Sequence, residues 1–411
     1  MNHYKLNYSY VGVDTHKEFH VAVVINFFNE KLGEVKFDNK PATFGAMLGK
    51  VKKLSGELTP VFALEDVGGY GRSLAVYLTE KKETVKAVNP ALANDRRKST
   101  PTYKKDDSFD ALTVAKVLKE DFDELPTANP TDIYWALAQL VGRRDSLVKN
   151  TVIIQNQLHD MLKHHYPSYR KFFTEIDSQT ALAFWEEYPA PHCLEGVTLE
   201  QFTVFLNKAS HNICSTKKAQ AILELVAADG NTQREYQATR DTIVKSIVKQ
   251  IKFNKQEIAD TEKEMVAILA EMGYKLESMP GISTVTAANL IAEIGDIKRF
   301  PNADKLARFA SIAPVKYSSA GKGNDQKAKQ GNRTLHGIFY FLAVQQVQTH
   351  PKTKKPRNQA FYDYYQKKQK EGKSKPQALT CVMRRLCTII YSMMKYKTEY
   401  VMPVIPNEEA V

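Results

Sequence analysis

The first part of the chain alternates between short apolar runs and segments with helical spacing of apolar residues, a pattern typical of α/β domains. Five apolar or β-branched runs predict strands, at positions 8–13, 19–25, 32–37, 61–64 and 84–88. Three segments with apolar residues on one helical side predict helices, at 43–54, 72–82 and 107–118. The turn around Thr15 is short, so the first two strands are expected to form a hairpin.

Three strands followed by helix–strand–helix–strand–helix is the element order of a ribonuclease-H-like fold. The predicted N-terminal domain, 1–125, is therefore an α/β domain of this type. The segment 121–132 carries Pro126 and Pro130 among polar residues and is interpreted as a linker.

After the linker, the apolar period changes to alternating steps of three and four, which defines two heptad seams and predicts a helical coiled-coil domain, 126–275. A coiled coil paired within one chain or across a dimer fits this pattern, and so does an ordinary helical hairpin inside one domain. The last third, 276–411, is predicted to be mainly helical. The seam positions are Leu137, Leu140, Arg144, Leu147, Thr151, Ile154, Leu158 and Met161, then Val244, Ile247, Ile251, Asn254, Ile258, Thr261, Met265 and Ile268.

Four carboxylates follow the α/β pattern in an order that suits a metal site. Asp14 and Glu65 end two predicted strands, and Asp107 and Asp110 share one face of a predicted helix. Mg²⁺ prefers oxygen ligands. Two such ions about 4 Å apart can clamp the attacking and leaving oxygens of a phosphate. We therefore expect a phosphodiester-cutting centre that binds two Mg²⁺ ions, with Mn²⁺ as a substitute.

Two neighbouring acids compete for these positions. Asp106 can replace Asp107, because residues 106 and 110 also share a helix face. Asp66 follows Glu65, but neighbours on a strand point to opposite sides, so only one of the two can face the centre.

Composition agrees with a nucleic-acid partner. The 411 residues include 58 Lys+Arg against 46 Asp+Glu, a formal net charge of +12, which favours a polyanion or an anionic membrane surface. We expect no membrane span and no signal peptide, because the chain has no sufficiently long apolar run. The four cysteines lack C-x-x-C spacing, so a zinc site or disulfide framework is not expected, and the cytoplasm (prokaryotic cytosol or nucleoid) is the expected location.

Several segments resemble DEDD-type insertion-sequence transposases, a family that includes Piv-like DNA invertases and recombinases guided by a bridge RNA. The resemblance covers nearly the whole chain in the family's order. Its N-terminal motifs are at 11–17, 63–72, 88–91 and 105–111. Its C-terminal motifs are at 279–282, 293–296, 309–314 and 317–319.

The resemblance implies a RuvC-like domain, a coiled-coil domain and a transposase domain with a catalytic serine. That serine corresponds to Ser319, the second of a Tyr-Ser-Ser motif in a basic, Gly-rich loop. Ser318 stays an alternative, because the usual Ser-Ser-Gly is replaced here by Ser318-Ser-Ala-Gly321. The implied metal ligands are Asp14, Glu65, Asp107 and Asp110.

The family also implies a mechanism and partners. Ser319 would attack a DNA phosphate activated by Mg²⁺ and form a phosphoserine link, and strand exchange between donor and target DNA would follow. A homodimer would assemble into a homotetramer, and a structured noncoding guide RNA would choose both DNA sites by base pairing.

Three other functions fit parts of the sequence. A RuvC-like Holliday-junction endonuclease would use water and would work without Ser319. A noncatalytic nucleic-acid-binding scaffold would tolerate the loss of Asp14 and Glu65. A sugar or acetate kinase also begins with a Gly-x-Asp strand, but the chain shows no second Gly-rich phosphate loop and no duplicated domain.

Overall fold

The computed structural model describes seven stretches of the chain and divides it into two compact units. One unit comprises Met1–Ala138 with Ile268–Val411, and the other comprises Gln139–Ala267. For residues 315–319 and 322–326, the structure describes the backbone only. The described stretches are 4–65, 69–100, 106–128, 132–313, 315–319, 322–326 and 331–402.

A mixed five-stranded sheet forms the centre of the N-terminal region, at the positions where strands are predicted. Its order is β3-β2-β1-β4-β5. The first three strands pair antiparallel, whereas β4 is parallel to both β1 and β5. This arrangement is consistent with a ribonuclease-H-like fold. The strands are β1 (Tyr8–Thr15), β2 (Phe19–Ile25), β3 (Lys31–Asp38), β4 (Thr59–Glu65) and β5 (Thr84–Val88).

Helices cover both faces of this sheet, which is why the central strands are continuous apolar runs. The first two helices pack on one face, and the fourth packs on the other. The third helix, over 90–98, is absent from the sequence-based prediction, which treats Asn89-Pro90 only as the end of a strand. These helices are α1 (Pro41–Ser55), α2 (Arg72–Glu80), α3 (Pro90–Lys98) and α4 (Asp107–Asp121).

Helix α4 approaches the sheet very closely at Gly12 of β1. A Cβ atom at this position would lie 2.2 Å from the carbonyl oxygen of Ala111 and 2.2 Å from the amide nitrogen of Ala115. Real side chains do not tolerate such distances, so α4 contacts the backbone of β1 directly. The absence of a side chain at residue 12 therefore sets the position of α4.

The unit Gln139–Ala267 is helical and has its own aromatic core around Trp185, with Tyr166, Phe172 and Phe184 fully buried. Two long helices extend beyond this unit into the neighbouring parts of the chain. The helices are α5 (Asp132–His165), α6 (Gln179–Glu187), α7 (Leu199–Ala209), α8 (Thr216–Asp229) and α9 (Gln237–Met272).

The two predicted heptad seams lie on α5 and α9. Their apolar members Ile154, Leu158, Val244 and Ile251 belong to the core of this unit. The Nε of Arg144 on α5 donates to a carboxylate oxygen of Glu262 on α9 at 2.6 Å, so the two helices contact each other within one chain. Coiled-coil geometry, in cis or across a dimer, stays a prediction.

The described part of the C-terminal region is mainly helical, as predicted, and contains a pair of short antiparallel strands. The predicted Gly-rich loop is wrong over 315–319 and 322–326, since β6 (Val315–Ser319) pairs there with β7 (Lys322–Gln326). Lys, Ser, Gly and Asn dominate this segment and are poor strand formers, so its composition conceals the hairpin. The helices are α10 (Thr284–Ile294), α11 (Ala303–Phe309), α12 (Arg333–Val347), α13 (Gln359–Lys370) and α14 (Lys375–Tyr396).

Among the described residues, none of the helices combines the length and the apolarity that crossing a bilayer requires.

The Gly12 contact can be tested by stability measurements. Gly12→Ala should lower the free energy of unfolding by about 1–3 kcal/mol, because overpacking against backbone atoms leaves no flexible neighbour to move. Gly49→Ala is the matched control, because a Cβ there meets nothing within 4 Å. It should raise the free energy of unfolding by about 0.5–1 kcal/mol, as expected for Ala in a helix interior. Equal stabilities of the two variants in chemical denaturation would contradict the proposed contact.

Candidate metal centre

Two of the predicted carboxylates meet across neighbouring strands. Asp14 of β1 and Glu65 of β4 are direct partners in the parallel register, at the carboxyl ends of both strands. Side chains alternate along a strand, so Tyr10, Gly12 and Asp14 share the face on which α4 packs. Sheet register alone therefore brings these two acids together on the side of α4.

The other two carboxylates come from the first turn of α4, where Asp107 and Asp110 lie. Because α4 packs closely on β1, its N-terminus approaches the ends of β1 and β4. The charges of both helix residues and of Glu65 act on Asp14. The structure thus brings together all four predicted acids.

Asp106 has a different role from its neighbour. Its Oδ1 accepts a hydrogen bond from the backbone N–H of Phe109 at 2.7 Å, so Asp106 is the N-cap of α4. Asp107 lies one residue further on, with its carboxylate 3.4 Å from the imidazole of His16. The helix cap uses Asp106, and Asp107 is directed toward the cluster. Asp66 lies outside the described residues.

A histidine that the sequence-based prediction missed joins the cluster. His16 Nε2 lies 3.0 Å from Asp14 Oδ2, in the turn between β1 and β2. The nearest ligand atoms of Asp14, His16 and Asp107 all lie within 4.8 Å of one another, close enough for one ion. The sequence does contain a signal for this contact. His16 follows Asp14 by two residues, and the turn between β1 and β2 is too short for His16 to lie far from that aspartate.

An arginine, also missed, binds the other side of the cluster. Arg97, on the unpredicted helix α3, donates to both oxygens of Glu65, at 3.1 Å and 3.0 Å. The same guanidinium lies 3.4 Å from Asp110 Oδ1. Bidentate pairing of this kind is among the stronger charged contacts, and both partners are largely buried here. A side-chain cation therefore holds two of the four carboxylates.

The crowding of negative charge has a measurable effect on Asp14. Burial raises the pKa of its carboxyl group above the usual value, and the three other carboxylates raise the pKa further, whereas His16 lowers it. Ionisation of Asp14 is therefore less favourable in the protein than in water. A divalent cation would reverse this balance, because it stabilises the charged form of every acid around it. The oxygen donors and their unfavourable mutual charge fit a hard divalent ion.

The predicted serine lies at the end of a strand in the C-terminal region. Ser319 ends β6, where its backbone pairs with Lys322, and Ser318 pairs with Gly323. The side chains of both serines lie outside the described residues. The choice of Ser319 as nucleophile stays a prediction.

Comparisons with known proteins agree with these observations. Residues 11–167 match a family described as transposase, of the DEDD type named for IS110. Residues 273–363 match the transposase IS116/IS110/IS902 family. The two matches together cover more than half of the chain, in the order that the resemblance predicts.

Individual relatives extend this picture over the full length. An uncharacterized 44.8 kDa protein of insertion element IS116 from Streptomyces clavuligerus is 25% identical over 392 residues, 94% of this chain and 95% of the relative. The pilin gene-inverting protein of Moraxella lacunata is 27% identical over 137 residues, 32% of this chain and 40% of that protein. From the two family matches and these relatives, we conclude that the chain belongs to the IS110-type transposases, a family of DNA-recombining enzymes.

Proposed function

We propose that this protein is the site-specific recombinase of its own mobile element, and that it cuts DNA by serine attack at a Mg²⁺-dependent centre. The observation that carries this proposal is the convergence of four carboxylates where β1 and β4 end beside the first turn of α4. Membership of the transposase family supports DNA as substrate and removes the kinase interpretation.

The metal ligands in this proposal are those predicted from the sequence. Glu65 and Asp110 share their oxygens with Arg97, so a bound ion would compete with that guanidinium. A divalent ion there would supply electrostatic stabilisation of a phosphate in transit and activation of the attacking hydroxyl. The four ligands are Asp14, Glu65, Asp107 and Asp110.

The serine chemistry balances without an energy source. The Oγ of Ser319 forms a bond to the scissile phosphorus, the bond from phosphorus to the 3′ oxygen breaks, and the serine proton ends on that oxygen as a 3′-hydroxyl. A 3′-hydroxyl of the second DNA then attacks the phosphoserine, and Oγ leaves with the proton. One phosphodiester is lost and one is made. The support for Ser319 is the resemblance of 317–319 to the family motif.

The partners in this proposal are donor DNA, target DNA and a structured noncoding guide RNA. The net charge of +12 supports contacts to phosphate backbones. Base pairing would carry the sequence information, as in other RNA-guided proteins. We further propose a homodimer that pairs into a homotetramer, and three domains at 1–125, 126–275 and 276–411.

Two other functions remain as competitors within the nucleic-acid class. A RuvC-like endonuclease would use the same carboxylates with water as nucleophile. A noncatalytic scaffold would bind nucleic acid without needing them. Neither explains the second family match over 273–363, which lies outside the carboxylate domain.

The metal centre can be tested with a pair of adjacent variants. Asp107→Asn should lower Mg²⁺-dependent strand cleavage by at least about 100-fold, because loss of a ligand removes several kcal/mol of transition-state stabilisation. Asp106→Asn should keep cleavage near the wild-type rate, since Asn caps a helix about as well as Asp. The reverse order of the two rates would assign the ligand to Asp106.

Asp14→Asn adds a readout that does not depend on activity. In the absence of divalent ions, this variant should melt at a higher temperature than the wild type, because it removes a carboxylate whose charge is disfavoured. With Mg²⁺ at millimolar concentration the wild type should gain stability and the variant should not. A Mg²⁺-induced gain of equal size in both proteins would exclude Asp14 as a ligand.

The nucleophile can be identified from covalent products. Ser319→Ala should lose both cleavage and the protein–DNA adduct that survives denaturation, because the phosphoserine cannot form. Ser318→Ala is the matched control and should keep both. Normal nicking by Ser319→Ala would favour the water-using endonuclease. Loss of the adduct only in Ser318→Ala would move the nucleophile by one residue.

The guide RNA can be tested by reprogramming. The protein would be supplied with donor and target plasmids and with the noncoding RNA from the flank of its element. Changing the RNA segment complementary to the target should redirect insertion to the newly matched site, because pairing selects the sequence. Sequencing of the junctions measures the outcome. Unchanged insertion sites with altered or omitted RNA would show that the protein itself chooses its target.

A further inference from the structure

A second group of possible metal ligands lies in the unit Gln139–Ala267, apart from the carboxylate cluster. His192 and Cys193 are neighbours in a 3₁₀ turn, Pro191–Leu194, and Asp241 lies in the second turn of α9. His192 Nε2 is 3.2 Å from Asp241 Oδ2 and 3.4 Å from Cys193 Sγ. The three ligand atoms all lie within 4.8 Å of one another.

These separations are those expected around a tetrahedral zinc ion. Zn²⁺ binds His nitrogen at about 2.0–2.1 Å, Cys sulfur at about 2.3 Å and carboxylate oxygen at about 2.0–2.2 Å. At tetrahedral angles, these bond lengths place N and S about 3.5 Å apart and N and O about 3.3 Å apart. The distances from His192 match both values closely. One ion can therefore contact all three groups with only small side-chain movements.

The surroundings orient these ligands. The other oxygen of Asp241, Oδ1, accepts a hydrogen bond from the Nε2 of Gln237 at 2.8 Å, and both of these residues are buried. Hydrogen bonds of this kind to a ligating carboxylate are typical of metal sites. The backbone N–H of Cys193 donates to the carbonyl of Ala190 at 3.0 Å, which fixes the turn.

Room for a water ligand lies next to His192. A cavity of about 400 Å³ lies beside the group, and His192, Thr232 and Gln237 contribute to its lining. The cavity is large enough for several water molecules, and its lining offers polar partners for them. A water molecule from this cavity can complete a tetrahedron whose other three positions belong to the protein.

We propose that His192, Cys193 and Asp241 bind one Zn²⁺ ion, with water as the fourth ligand. The ion connects the 3₁₀ turn to α9 and so closes the segment between them. On binding, the thiol proton of Cys193 leaves to solvent and the thiolate forms the Zn–S bond. The absence of C-x-x-C spacing does not argue against such a site, because its ligands come from two distant segments.

This site is independent of the carboxylate centre and of the recombinase proposal. The carboxylate centre offers oxygen donors, which suit Mg²⁺; they belong to Asp14, Glu65, Asp107 and Asp110. A thiolate selects softer ions such as Zn²⁺. The sulfur therefore provides a spectroscopic signal that the carboxylate centre cannot produce.

Cobalt substitution in the full-length protein tests the proposal. Metal-free protein, kept reduced, is titrated with Co²⁺, followed by Zn²⁺ in competition. We expect a thiolate-to-cobalt charge-transfer band in the near ultraviolet, tetrahedral d–d bands in the visible, and loss of both as one equivalent of Zn²⁺ enters. Cys193→Ser should abolish the charge-transfer band, and His192→Ala and Asp241→Asn should weaken Co²⁺ affinity at least tenfold.

Two matched controls separate this site from other sources of metal binding. Cys214→Ser changes another partly buried cysteine of the same unit, and Asp14→Asn changes the carboxylate centre. Both should keep the charge-transfer band and its affinity unchanged. Circular dichroism confirms that each variant is folded, and the conservative Asp241→Asn keeps the test valid if His192→Ala unfolds.

Two results would overturn the proposal. One is a wild-type protein without a thiolate–cobalt band at saturating Co²⁺. The other is a band that persists in Cys193→Ser or disappears in Cys214→Ser. In either case His192 and Asp241 form only a hydrogen-bonded pair beside an unrelated thiol. Strand cleavage plays no part in these readouts, so failure here leaves the recombinase proposal unaffected.

Discussion

The direct contact between α4 and the backbone of β1 at Gly12 determines the geometry of the N-terminal region. Two of the four carboxylates are on the sheet and two are on α4, so their separation depends on how closely the helix approaches the strand. Any side chain at residue 12 would displace α4 from the sheet. The ends of β1 and β4 are joined by register. The N-terminus of α4 is held beside them by packing and by the contacts of His16 and Arg97. Gly12, which has no side chain, thereby sets the distance between the carboxylates of the sheet and those of α4.

Electrostatic repulsion is the main consequence of this packing. Asp14 is half-buried beside the other carboxylates, and burial together with their charges raises the pKa of its carboxyl group. Two nitrogen-bearing side chains contact these acids, Arg97 on Glu65 and Asp110, and His16 on Asp14. Neither group removes the repulsion entirely, which is the physical reason for expecting a metal. Functional sites commonly keep the stability of a protein below the value that its fold could otherwise reach.

The sheet could be predicted from the sequence, because strands buried on both faces must be apolar along their whole length. The proximity of the four acids could be predicted, because each lies near the end of a strand or in the first turn of a helix. Arg97 could not, since its importance arises from a contact with Glu65 that is not local in sequence. The helix that carries it has one signal, Asn89 before Pro90, which is also a way to end a strand. The β6–β7 hairpin was missed because its residues are polar and small.

The bidentate contact of Arg97 has a consequence for how ions would enter the proposed centre. A first divalent ion that draws Glu65 or Asp110 away from the guanidinium must replace a contact already present. If Arg97 moved away, Glu65 and Asp110 would offer a second ion oxygens without a competing guanidinium. Binding of the two ions would then be cooperative, because binding of the first would raise the affinity for the second. In the proposed centre, the dependence on ion concentration would therefore be sigmoidal.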